Sequence, residues 1–321
     1  MIRILANDGL HEDGKLLLEE AGYEVDVIKV AQEDLLNVLP DYNVVIVRSD
    51  TKIRKNLIDR CPDLKMIVRG GMGYDNIDVK HAESKGIKVI TTPTASAQSV
   101  AELVFGHLLS IARNLHLSNR EMPERGNTAF KALKRTFSNG FELKGKKIVI
   151  LGFGTVGQQV ARIAIGFGME VIPVDNAFES IKLDVDIFNL PNMSLTVRLQ
   201  MSSFEEALKV ADIVTIHVPY IGKPLLTEKS FQMMKDGVVI INASKGGTID
   251  EQALLNALED GKVAGAGVDV FMDEPSPDGA LLNHPKISVS PHLGASTTEA
   301  QRQIGLALAD KVIEFFGEEG F

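Results

Sequence analysis

The sequence contains a single cysteine, and this scarcity excludes two kinds of site. Cys61 can form no disulfide within the chain, and it has no second thiol with which to bind a metal ion. Histidine, cysteine and aspartate residues nowhere show the spacing of metal ligands, so we expect no metal site. A chain without disulfides is typical of a reducing compartment, and we therefore expect a cytoplasmic protein.

Long apolar runs, targeting segments and excess positive charge are missing as well. No stretch is long enough to cross a bilayer, and a predicted strand, 3–7, follows the N-terminus directly, so we expect no signal or transit peptide. The chain has 34 Lys and Arg residues and 43 Asp and Glu residues, which gives a formal net charge of -9. We therefore expect no nucleic-acid or membrane partner, and an anionic substrate needs a local cluster of cations.

The chain does have the composition of a globular enzyme. Its 321 residues are 45% hydrophobic and 24% charged, which suffices for two domains with substantial cores. The predicted strands are 3–7, 24–30, 44–48, 66–69, 88–92, 147–151, 170–174, 212–218, 237–242, 263–268 and 287–289. Because amphipathic helical patterns separate these apolar strands, the sequence predicts an α/β fold of parallel sheets with helices on both faces.

Three stretches are open to more than one interpretation. Residues 98–116 form an apolar helical pattern, either a linker helix between domains that also contributes to a subunit interface or a plain core helix. Residues 117–145 are polar and weakly periodic, typical of an arm around a partner subunit or of a surface excursion. Residues 176–200 are irregular for an α/β protein and indicate an inserted loop or a short extra hairpin.

The strongest motif is Gly152-Phe153-Gly154-Thr155-Val156-Gly157, between a predicted strand and a predicted helix. Gly152 permits the tight turn, Gly154 lets the backbone approach a pyrophosphate at the helix N-terminus, and Gly157 allows the helix to pack closely on the strand. Asp175 ends the next strand, 18 residues beyond Gly157. Its carboxylate can bind both ribose hydroxyls of adenosine and would repel a 2′-phosphate, so the motif predicts NAD rather than NADP.

Hydride transfer from an alcohol also needs a base, which near neutral pH is most simply a histidine. His292 follows the short strand 287–289, at the end of the strand where open α/β sheets bind ligands. Glu274, beyond strand 263–268, can orient His292 and stabilise its protonated form. These two residues alone leave an alternative open, in which His292 is an ordinary loop histidine and Glu274 is an acid that does not pair with it.

Three cations also follow predicted strands. Lys245, in the glycine-flanked loop 242–247, is either a ligand for a substrate carboxylate or a solvated loop lysine. Arg48 and Arg69 end successive strands and can hold an anionic substrate tail. The segment 70–73 after Arg69, Gly-Gly-Met-Gly, can turn backbone N–H groups toward a ligand.

Ordered motifs along nearly the whole chain resemble the D-isomer-specific 2-hydroxyacid dehydrogenase family. They comprise Val47-Arg48-Ser49, the run 69–78, the glycine motif 152–157, His217-Val218-Pro219, the run 242–247, the run 267–275 and the run 290–297. The resemblance implies two doubly wound parallel-sheet domains. A flavodoxin-like substrate-binding domain, 1–97 completed by 295–321, and a Rossmann NAD-binding domain, 98–294, would enclose the active site, and the family is dimeric through its cofactor domains.

The resemblance also implies roles for individual residues. His292 would be the acid–base group, Glu274 its partner, and Lys245 the cation that holds the substrate carboxylate and polarises the reacting C–O bond. The implied cofactor-binding residues are Gly152, Gly154, Thr155, Val156, Gly157, Asp175, His217, Val218, Pro219, Ala243 and Asp269, the last on the nicotinamide carboxamide. The implied substrate-binding residues are Arg48, Ser49, Arg69, Met72 and Gly73.

Within the family, the Arg48-Ser49 step, the run 75–78 and the run 292–297 are most similar to members that oxidise D-3-phosphoglycerate with NAD in serine biosynthesis. The alternatives are a glyoxylate or hydroxypyruvate reductase, which needs no phosphate pocket, another D-2-hydroxyacid dehydrogenase, and a non-catalytic NAD-binding scaffold, against which the retained Glu274 and His292 argue. Lys245 stands where the family usually has arginine and lacks its bidentate fork. Because the chain stops directly after a predicted closing helix, we expect no C-terminal regulatory domain.

Overall fold

The computed structural model describes residues 1–71, 73–92, 94–186 and 194–318, and these residues form two compact units. The first unit contains Met1–Ala97 and the chain from Ala295 onward, and the second contains Gln98–Gly294. No helix in these described ranges is long and apolar enough to cross a membrane.

The first unit is a five-stranded parallel sheet with helices on both faces. Its elements are β1 (Arg3–Ala6), α1 (Glu12–Glu20), β2 (Glu24–Asp26), α2 (Leu35–Val38), a 3-10 turn (Leu39–Asp41), β3 (Val44–Val47), α3 (Lys55–Ile58), β4 (Met66–Arg69), α4 (Val79–Ser84), β5 (Lys88–Thr91) and, from the C-terminal part of the chain, α12 (Thr298–Glu318). The strand order is β2-β1-β3-β4-β5, and every pairing is parallel.

Both faces of this sheet are buried at its centre, which explains why the central strand β3 is apolar at every position. On β3, Val45 and Val47 pack into one core cluster while Val44 and Ile46 pack into the cluster on the opposite face. The second cluster includes residues of α12, which lies against α1. These two helices touch backbone to backbone, because a Cβ on Gly14 would lie 2.5 Å from the carbonyl oxygen of Gly305.

The second unit has a six-stranded parallel sheet and an antiparallel hairpin. Its elements are α5 (Ala97–Ala112), α6 (Leu115–Thr136), β6 (Lys147–Leu151), α7 (Thr155–Gly166), β7 (Glu170–Val174), β8 (Ser180–Asp186), β9 (Ser194–Gln200), α8 (Phe204–Val210), β10 (Ile213–Ile216), α9 (Glu228–Met233), β11 (Val238–Asn242), α10 (Glu251–Glu259), β12 (Val263–Val268), α11 (Gly279–Asn283) and β13 (Ile287–Val289). The strand order is β13-β12-β11-β10-β6-β7, and β8 pairs with β9. The predicted α/β fold with parallel sheets is confirmed.

The region 98–145 contains two helices, where the sequence predicted one helix, 98–116, followed by a polar arm or surface excursion. Asn114 adopts a left-handed conformation with φ of 53° and ends one helical path, and a second helix, α6, begins directly after it. Within α6 only Leu133 is buried, so the helix has no apolar stripe of the kind that reveals a helix in a sequence. A kink at Ala129 further weakens the periodicity.

The irregular segment after Asp175 contains the hairpin, the second of the two alternatives. Side chains of β8 alternate between exposed and covered, and Leu183 is buried with 1% of its surface exposed. Arg162 of α7 donates to the carbonyl oxygen of Asp184 at 2.9 Å and ties the hairpin to the parallel sheet's helix layer. Residues 187–193 of the segment lie outside the described residues.

Candidate active site

Most of the predicted site residues lie in loops at one edge of the six-stranded sheet. The strands β6, β7, β10, β11, β12 and β13 are parallel, so the loops after their carboxyl ends share that edge. In open α/β sheets this edge is where ligands bind.

The glycine motif forms the turn between β6 and α7. Gly152 has a φ of 93°, and a Cβ there would lie 2.5 Å from the carbonyl oxygen of His217. A Cβ on Gly157 would lie 2.2 Å from the carbonyl oxygen of Gly152. Both positions therefore require glycine, one for the left-handed turn and the other for contact between helix and strand.

Gly154, unlike Gly152 and Gly157, has open space around it, because no heavy atom lies within 4 Å of the place where its Cβ would stand. This open space adjoins the N-terminus of α7, which begins at the exposed Thr155. The free N–H groups and the dipole of a twelve-residue helix stabilise an anion at this end. The site therefore fits the pyrophosphate of a dinucleotide.

Asp175 closes the other side of this nucleotide loop. Its Oδ2 accepts a hydrogen bond from the N–H of Phe153 at 2.7 Å, and its Oδ1 accepts one from the N–H of Ala177 at 2.8 Å. Each carboxylate oxygen can accept a further hydrogen bond, so both remain able to bind ribose hydroxyls. The side chain is half-buried directly after the end of β7.

The loop after β10 lies directly against the glycine turn. Val218 is half-buried and its Cγ1 would touch a Cβ on Gly152, at 2.7 Å, while Pro219 is exposed. The Nε2 of His217 lies 2.9 Å from the hydroxyl of Thr215, and burial lowers the pKa of His217 to about 3. Its Nδ1 is buried and has no hydrogen-bond partner in the described part of the chain. The ring is therefore neutral at physiological pH.

The structure brings His292 and Glu274 together. The Nδ1 of His292 lies 2.8 Å from Oε2 of Glu274, and the imidazole side chain is 46% exposed. The other carboxylate oxygen of Glu274 accepts a hydrogen bond from the N–H of Phe271 at 2.9 Å, which holds the carboxylate in place. The opposite ring nitrogen of His292, Nε2, points away from Glu274 and can exchange a proton with a bound molecule.

The backbone of His292 is held in a left-handed conformation, with φ of 55°. Its N–H donates to the carbonyl oxygen of Asp269 at 2.8 Å and to that of Ser290 at 3.1 Å. The carboxylate of Asp269 is fully buried and accepts the N–H groups of Leu293 at 2.7 Å and Gly294 at 3.0 Å. The sequence predicted a cofactor contact for Asp269 and missed that its carboxylate shapes the loop that carries His292.

Lys245 is half-buried in a loop built by hydrogen bonds to its own backbone. The carbonyl oxygen of Lys245 accepts hydrogen bonds from Nδ2 of Asn242 at 3.2 Å and from the hydroxyl of Thr248 at 2.7 Å. A Cβ on Gly246 would lie 1.8 Å from the carbonyl oxygen of Phe271, so the Lys245 loop touches the loop that carries Glu274. Ala243, the residue after β11, is buried.

In the first unit, Arg48 follows β3, and Arg69 is the last residue of the adjacent strand β4. Val47 pairs with Arg69 across the two strands, so Arg48 and Arg69 are neighbours at this edge of the sheet. Burial lowers the pKa of Arg69, the charge of Asp75 opposes that effect, and the positive charge of Arg48 adds to it. Arg48 donates to the side-chain oxygen of Gln301 at 2.8 Å. Gly71, with φ of 123°, would place a Cβ only 3.0 Å from the guanidinium of Arg69.

A buried carboxylate that the sequence did not single out shapes the Arg48 loop. Asp8 accepts hydrogen bonds from the N–H of Arg48 at 2.7 Å, from the hydroxyl and N–H of Thr51 at 2.6 and 3.1 Å, and from Lys29 at 2.6 Å. Ser49 and Gly73 are exposed at the same edge of the first sheet. Met72 lies outside the described residues.

These contacts define what the second unit can do chemically. A half-exposed imidazole held by a carboxylate can take the proton of an alcohol and return it to a ketone, because the carboxylate stabilises the protonated ring. When bound, NAD supplies the hydride acceptor that oxidation of the alcohol requires. The residues described contain no group of three or more His, Cys, Asp or Glu side chains arranged to hold a metal ion.

Comparison with known proteins agrees with this chemistry. Residues 105–294 match the D-isomer specific 2-hydroxyacid dehydrogenase NAD binding domain. A hydroxypyruvate reductase from Thermotoga maritima is 39% identical and covers 98% of each chain, and a D-3-phosphoglycerate dehydrogenase from Methanocaldococcus jannaschii is 39% identical over 97% of this chain. The chain spans 57% of that second relative's length.

Solved structures give the same result. A glyoxylate reductase from Paecilomyes thermophila superposes with a TM-score of 0.79 and 28% identity, covering 100% of this chain and 96% of its own. The pyruvate reductase of Chlamydomonas reinhardtii superposes with a TM-score of 0.78 and 25% identity, covering 99% and 97%. With the glycine turn, the acid at Asp175 and the match over 105–294, these likenesses establish that the chain belongs to the NAD-dependent D-isomer specific 2-hydroxyacid dehydrogenase family, with NAD as its cofactor.

Proposed function

We propose that the chain catalyses the NAD-dependent oxidation of D-3-phosphoglycerate to 3-phosphohydroxypyruvate, and so serves serine biosynthesis in the cytoplasm. The observation that carries the choice of substrate is the position of Arg48 and Arg69, which stand side by side at the carboxyl ends of the paired strands β3 and β4. Two cations on adjacent strand ends suit a phosphate dianion, since guanidinium groups bind phosphate oxygens in a bidentate manner. In a chain of net charge -9, such a local cluster of cations is needed to hold an anion.

In this proposal the second unit, 98–294, is the NAD-binding domain and carries the acid–base chemistry. His292 takes the hydroxyl proton of the substrate on Nε2, and Glu274 stabilises the resulting imidazolium across the 2.8 Å contact. The hydride leaves the same carbon, so the C–H and O–H bonds break as the C=O bond forms. Lys245 neutralises the substrate carboxylate and polarises the carbon–oxygen bond, as a cation in place of the family's arginine.

The first unit is the substrate-binding domain in this proposal. Arg48, Ser49 and Arg69 bind the phosphate, while Gly73 and its neighbour Met72 bind the carboxylate through backbone N–H groups. The hydrogen bonds of Asp8 support this role, because they hold the backbone of Arg48 and Thr51 in one arrangement. In the second unit, Ala243, Asp269 and the segment 217–219 remain candidate contacts of the nicotinamide half of the cofactor.

A second candidate function is the reduction of hydroxypyruvate or glyoxylate. The observation that favours it is the Thermotoga maritima hydroxypyruvate reductase, which matches this chain over 98% of both lengths. A short keto acid carries no phosphate, so under this alternative Arg48 and Arg69 would not contact the substrate. The two functions therefore predict different consequences of removing the arginines.

A substrate panel with and without the arginines tests the choice. Wild-type protein is incubated with NAD and D-3-phosphoglycerate, with the keto product trapped chemically, and separately with NADH and hydroxypyruvate or glyoxylate. We expect NADH formation from phosphoglycerate, with kcat/KM reduced by about tenfold to a hundredfold in Arg48→Gln and in Arg69→Gln, since each charge-assisted contact contributes about 1.5–3 kcal/mol. Fast reduction of the short keto acids, no turnover of phosphoglycerate and no effect of either variant would assign the second function.

We also propose a homodimer. The helix α6 exposes three large apolar side chains, Leu115, Met122 and Phe130, of which Phe130 is 58% exposed. Exposed apolar residues of this size on a helix with a single buried side chain support a role in subunit contact. Light scattering during gel filtration is expected to give twice the mass of one chain, and a monomeric mass would contradict the proposal.

A further inference from the structure

A buried histidine outside the acid–base pair, His107 of α5, is linked to the loop that carries His292. Its Nδ1 lies 2.9 Å from the hydroxyl of Ser288, and its Nε2 lies 2.8 Å from the hydroxyl of Ser290. The residue is 5% exposed and stands 183 positions before Ser290 in the chain. Both nitrogens of this buried ring therefore have hydrogen-bond partners. An apolar side chain would suffice to continue the apolar pattern of α5, so the imidazole needs another explanation.

The hydrogen bonds run in one direction along this chain of side chains. The hydroxyl of Ser290 donates its single hydrogen to Oδ1 of Asp269 at 2.5 Å, so it must accept a hydrogen from Nε2 of His107. Nδ1 of His107 is then the acceptor and takes the hydroxyl hydrogen of Ser288. Burial lowers the pKa of His107, and the charge of Asp269 only partly opposes this, which keeps the ring neutral as the chain of bonds demands.

The backbone of β12 is adapted to the imidazole. A Cβ on Gly267 would lie 2.6 Å from the Cβ of His107, and a Cβ on Gly265 would lie 2.8 Å from Cγ2 of Ile111, one turn further along α5. The two glycines let α5 approach the strand closely enough for His107 to reach Ser288 and Ser290. No side chain larger than hydrogen fits at either glycine without displacing the helix.

The far end of the chain of bonds is the His292 loop. Asp269 accepts the N–H groups of Leu293 and Gly294, and its carbonyl oxygen accepts the N–H of His292 itself. These bonds hold a non-glycine residue in the left-handed region, which persists only where the surroundings enforce it. A loosened Asp269 carboxylate would release that constraint.

We propose that His107 is a positioning residue, which acts through Ser290 and Asp269 to hold the ring of His292 where it exchanges its proton with the substrate. This inference rests on the proposed acid–base role of His292. The hydrogen bonds of His107 go to the hydroxyls of Ser288 and Ser290, and those of His292 and Glu274 go to other groups, so we expect its effect on the arrangement of the pair and not on substrate or cofactor affinity. A misplacement of about 1 Å in a reacting group can lower the rate about a hundredfold.

The test compares His107→Leu, which removes both hydrogen bonds, with His107→Gln, whose amide can still donate to Ser290. Ile111→Ala is the matched control, because it removes packing from the same helix against the same strand without touching the hydrogen bonds. We expect kcat in His107→Leu to fall at least about tenfold with little change in KM for NAD or for the 2-hydroxy acid. We expect His107→Gln to recover most of the loss and Ile111→Ala to keep nearly wild-type kcat.

Amide hydrogen exchange supplies a readout that needs no turnover. The amides of Leu293 and Gly294 are expected to exchange at least about tenfold faster in His107→Leu than in Ile111→Ala, because local opening follows the lost bonds. If His107→Leu does not fold, Ser290→Ala breaks the chain at its next link and carries the same expectations. Nitrogen-15 spectra of labelled histidine should show His107 neutral with its proton on Nε2.

The outcomes distinguish a failure of the positioning role of His107 from a failure of the proposed dehydrogenase function. If the wild type is active but His107→Leu matches Ile111→Ala in kcat and in amide exchange, the positioning role of His107 is overturned. A proton on Nδ1 of His107, or a charged ring at neutral pH, would likewise overturn the directed chain of bonds. If the wild type turns over none of the tested acids, the proposed function itself fails, whatever the exchange data show.

Discussion

At the scale of the residue, two buried carboxylates have the same task in different units. Asp8 follows β1 and collects donors from the loop after β3, while Asp269 follows β12 and collects donors from the loop after β13. In each case a charged acceptor at a strand end gathers backbone N–H groups of a neighbouring loop. Such charge-assisted bonds are about twice as strong as neutral ones, so each carboxylate holds its loop firmly.

Replacing His292 tests the acid–base role directly. In His292→Asn we expect kcat to fall at least about a hundredfold with unchanged affinity for NAD, since the proton acceptor is lost while the nucleotide loop is untouched. Steady-state kinetics and NADH fluorescence titration measure the two effects. His81→Asn is the control, because His81 forms a similar pair with Asp59 at 2.9 Å in the first unit, and it should leave kcat unchanged. Equal rates in wild type and His292→Asn would disprove the mechanism.

Asp8 makes the stability of the first unit depend on pH. Burial raises the pKa of Asp8, but the hydrogen bonds from Lys29, Thr51 and the Arg48 backbone together lower it by more. The pKa of Asp8 in the folded state therefore lies below the ordinary value. The carboxylate therefore stabilises the fold above the pKa of the unfolded chain, about 3.9, and this contribution is lost as the pH falls through the lower folded pKa.

We expect Asp8→Asn to lower the free energy of unfolding by about 1–3 kcal/mol at neutral pH, with a smaller difference from wild type below about pH 4. Urea unfolding at both pH values measures it. Asp50→Asn is the control, because Asp50 approaches the same Lys29 but its side chain is 75% exposed. If the difference in unfolding free energy between wild type and Asp8→Asn stayed constant down to acid pH, the stabilising role of the ionised Asp8 carboxylate would be contradicted.

At the scale of the element, the turn between β6 and α7 separates two functions of glycine. Gly157→Ala places a Cβ 2.2 Å from a backbone oxygen, so we expect a loss of about 1–3 kcal/mol in unfolding free energy. Gly154→Ala meets open space and should leave stability unchanged, while NAD affinity falls at least about tenfold, or about 1.4 kcal/mol. Thermal unfolding and calorimetric titration distinguish the two, and an unaltered affinity in Gly154→Ala would place the pyrophosphate elsewhere.

The hairpin of β8 and β9 is the element that departs most from a plain doubly wound sheet. Leu183 is 1% exposed and anchors it, whereas Leu195 on the partner strand is 56% exposed. We expect Leu183→Ala to cost about 2–5 kcal/mol in unfolding free energy. Leu195→Ala should change it by less than about 0.5 kcal/mol. Leu195 pairs with Val185 and therefore lies on the same face of the hairpin as Leu183. Similar losses in both variants, measured by chemical denaturation, would show that Leu183 is not the main anchor of the hairpin.

Elements with a strong apolar period were predictable, and those without one were not. All eleven strands of the two parallel sheets correspond to predicted runs. The interior strand β3 is the clearest, because a strand buried on both faces reads as an uninterrupted apolar segment. The helix α6 escaped prediction because burial touches only Leu133 among its residues. The hydrogen bonds of His107 could not be predicted either, since its partners, Ser288 and Ser290, lie far away in the sequence.

At the scale of the whole molecule, cofactor binding should appear as thermal stabilisation. At a concentration one hundred times its dissociation constant, NAD stabilises the folded protein by about 2.7 kcal/mol, which raises the midpoint of unfolding by several degrees. NADP at the same concentration should raise it less, because the carboxylate of Asp175 repels a 2′-phosphate. In a thermal shift assay, Asp175→Ala should reduce the difference between the shifts caused by NAD and by NADP. Equal shifts by the two cofactors in the wild type would contradict the proposal that Asp175 repels the 2′-phosphate.

The local pattern of the sequence determined the alternation of strands and helices, the glycine turn with its acid at Asp175, and the expectation of NAD. These features depend on residues close together in the chain, whose spacing records backbone geometry directly. Only the tertiary structure decided that Glu274 meets His292, that Asp8 holds the Arg48 loop, and that His107 reaches Ser290 across 183 residues. Such contacts arise from the order and packing of strands and helices, which bring loops to one edge of a sheet irrespective of their separation in sequence.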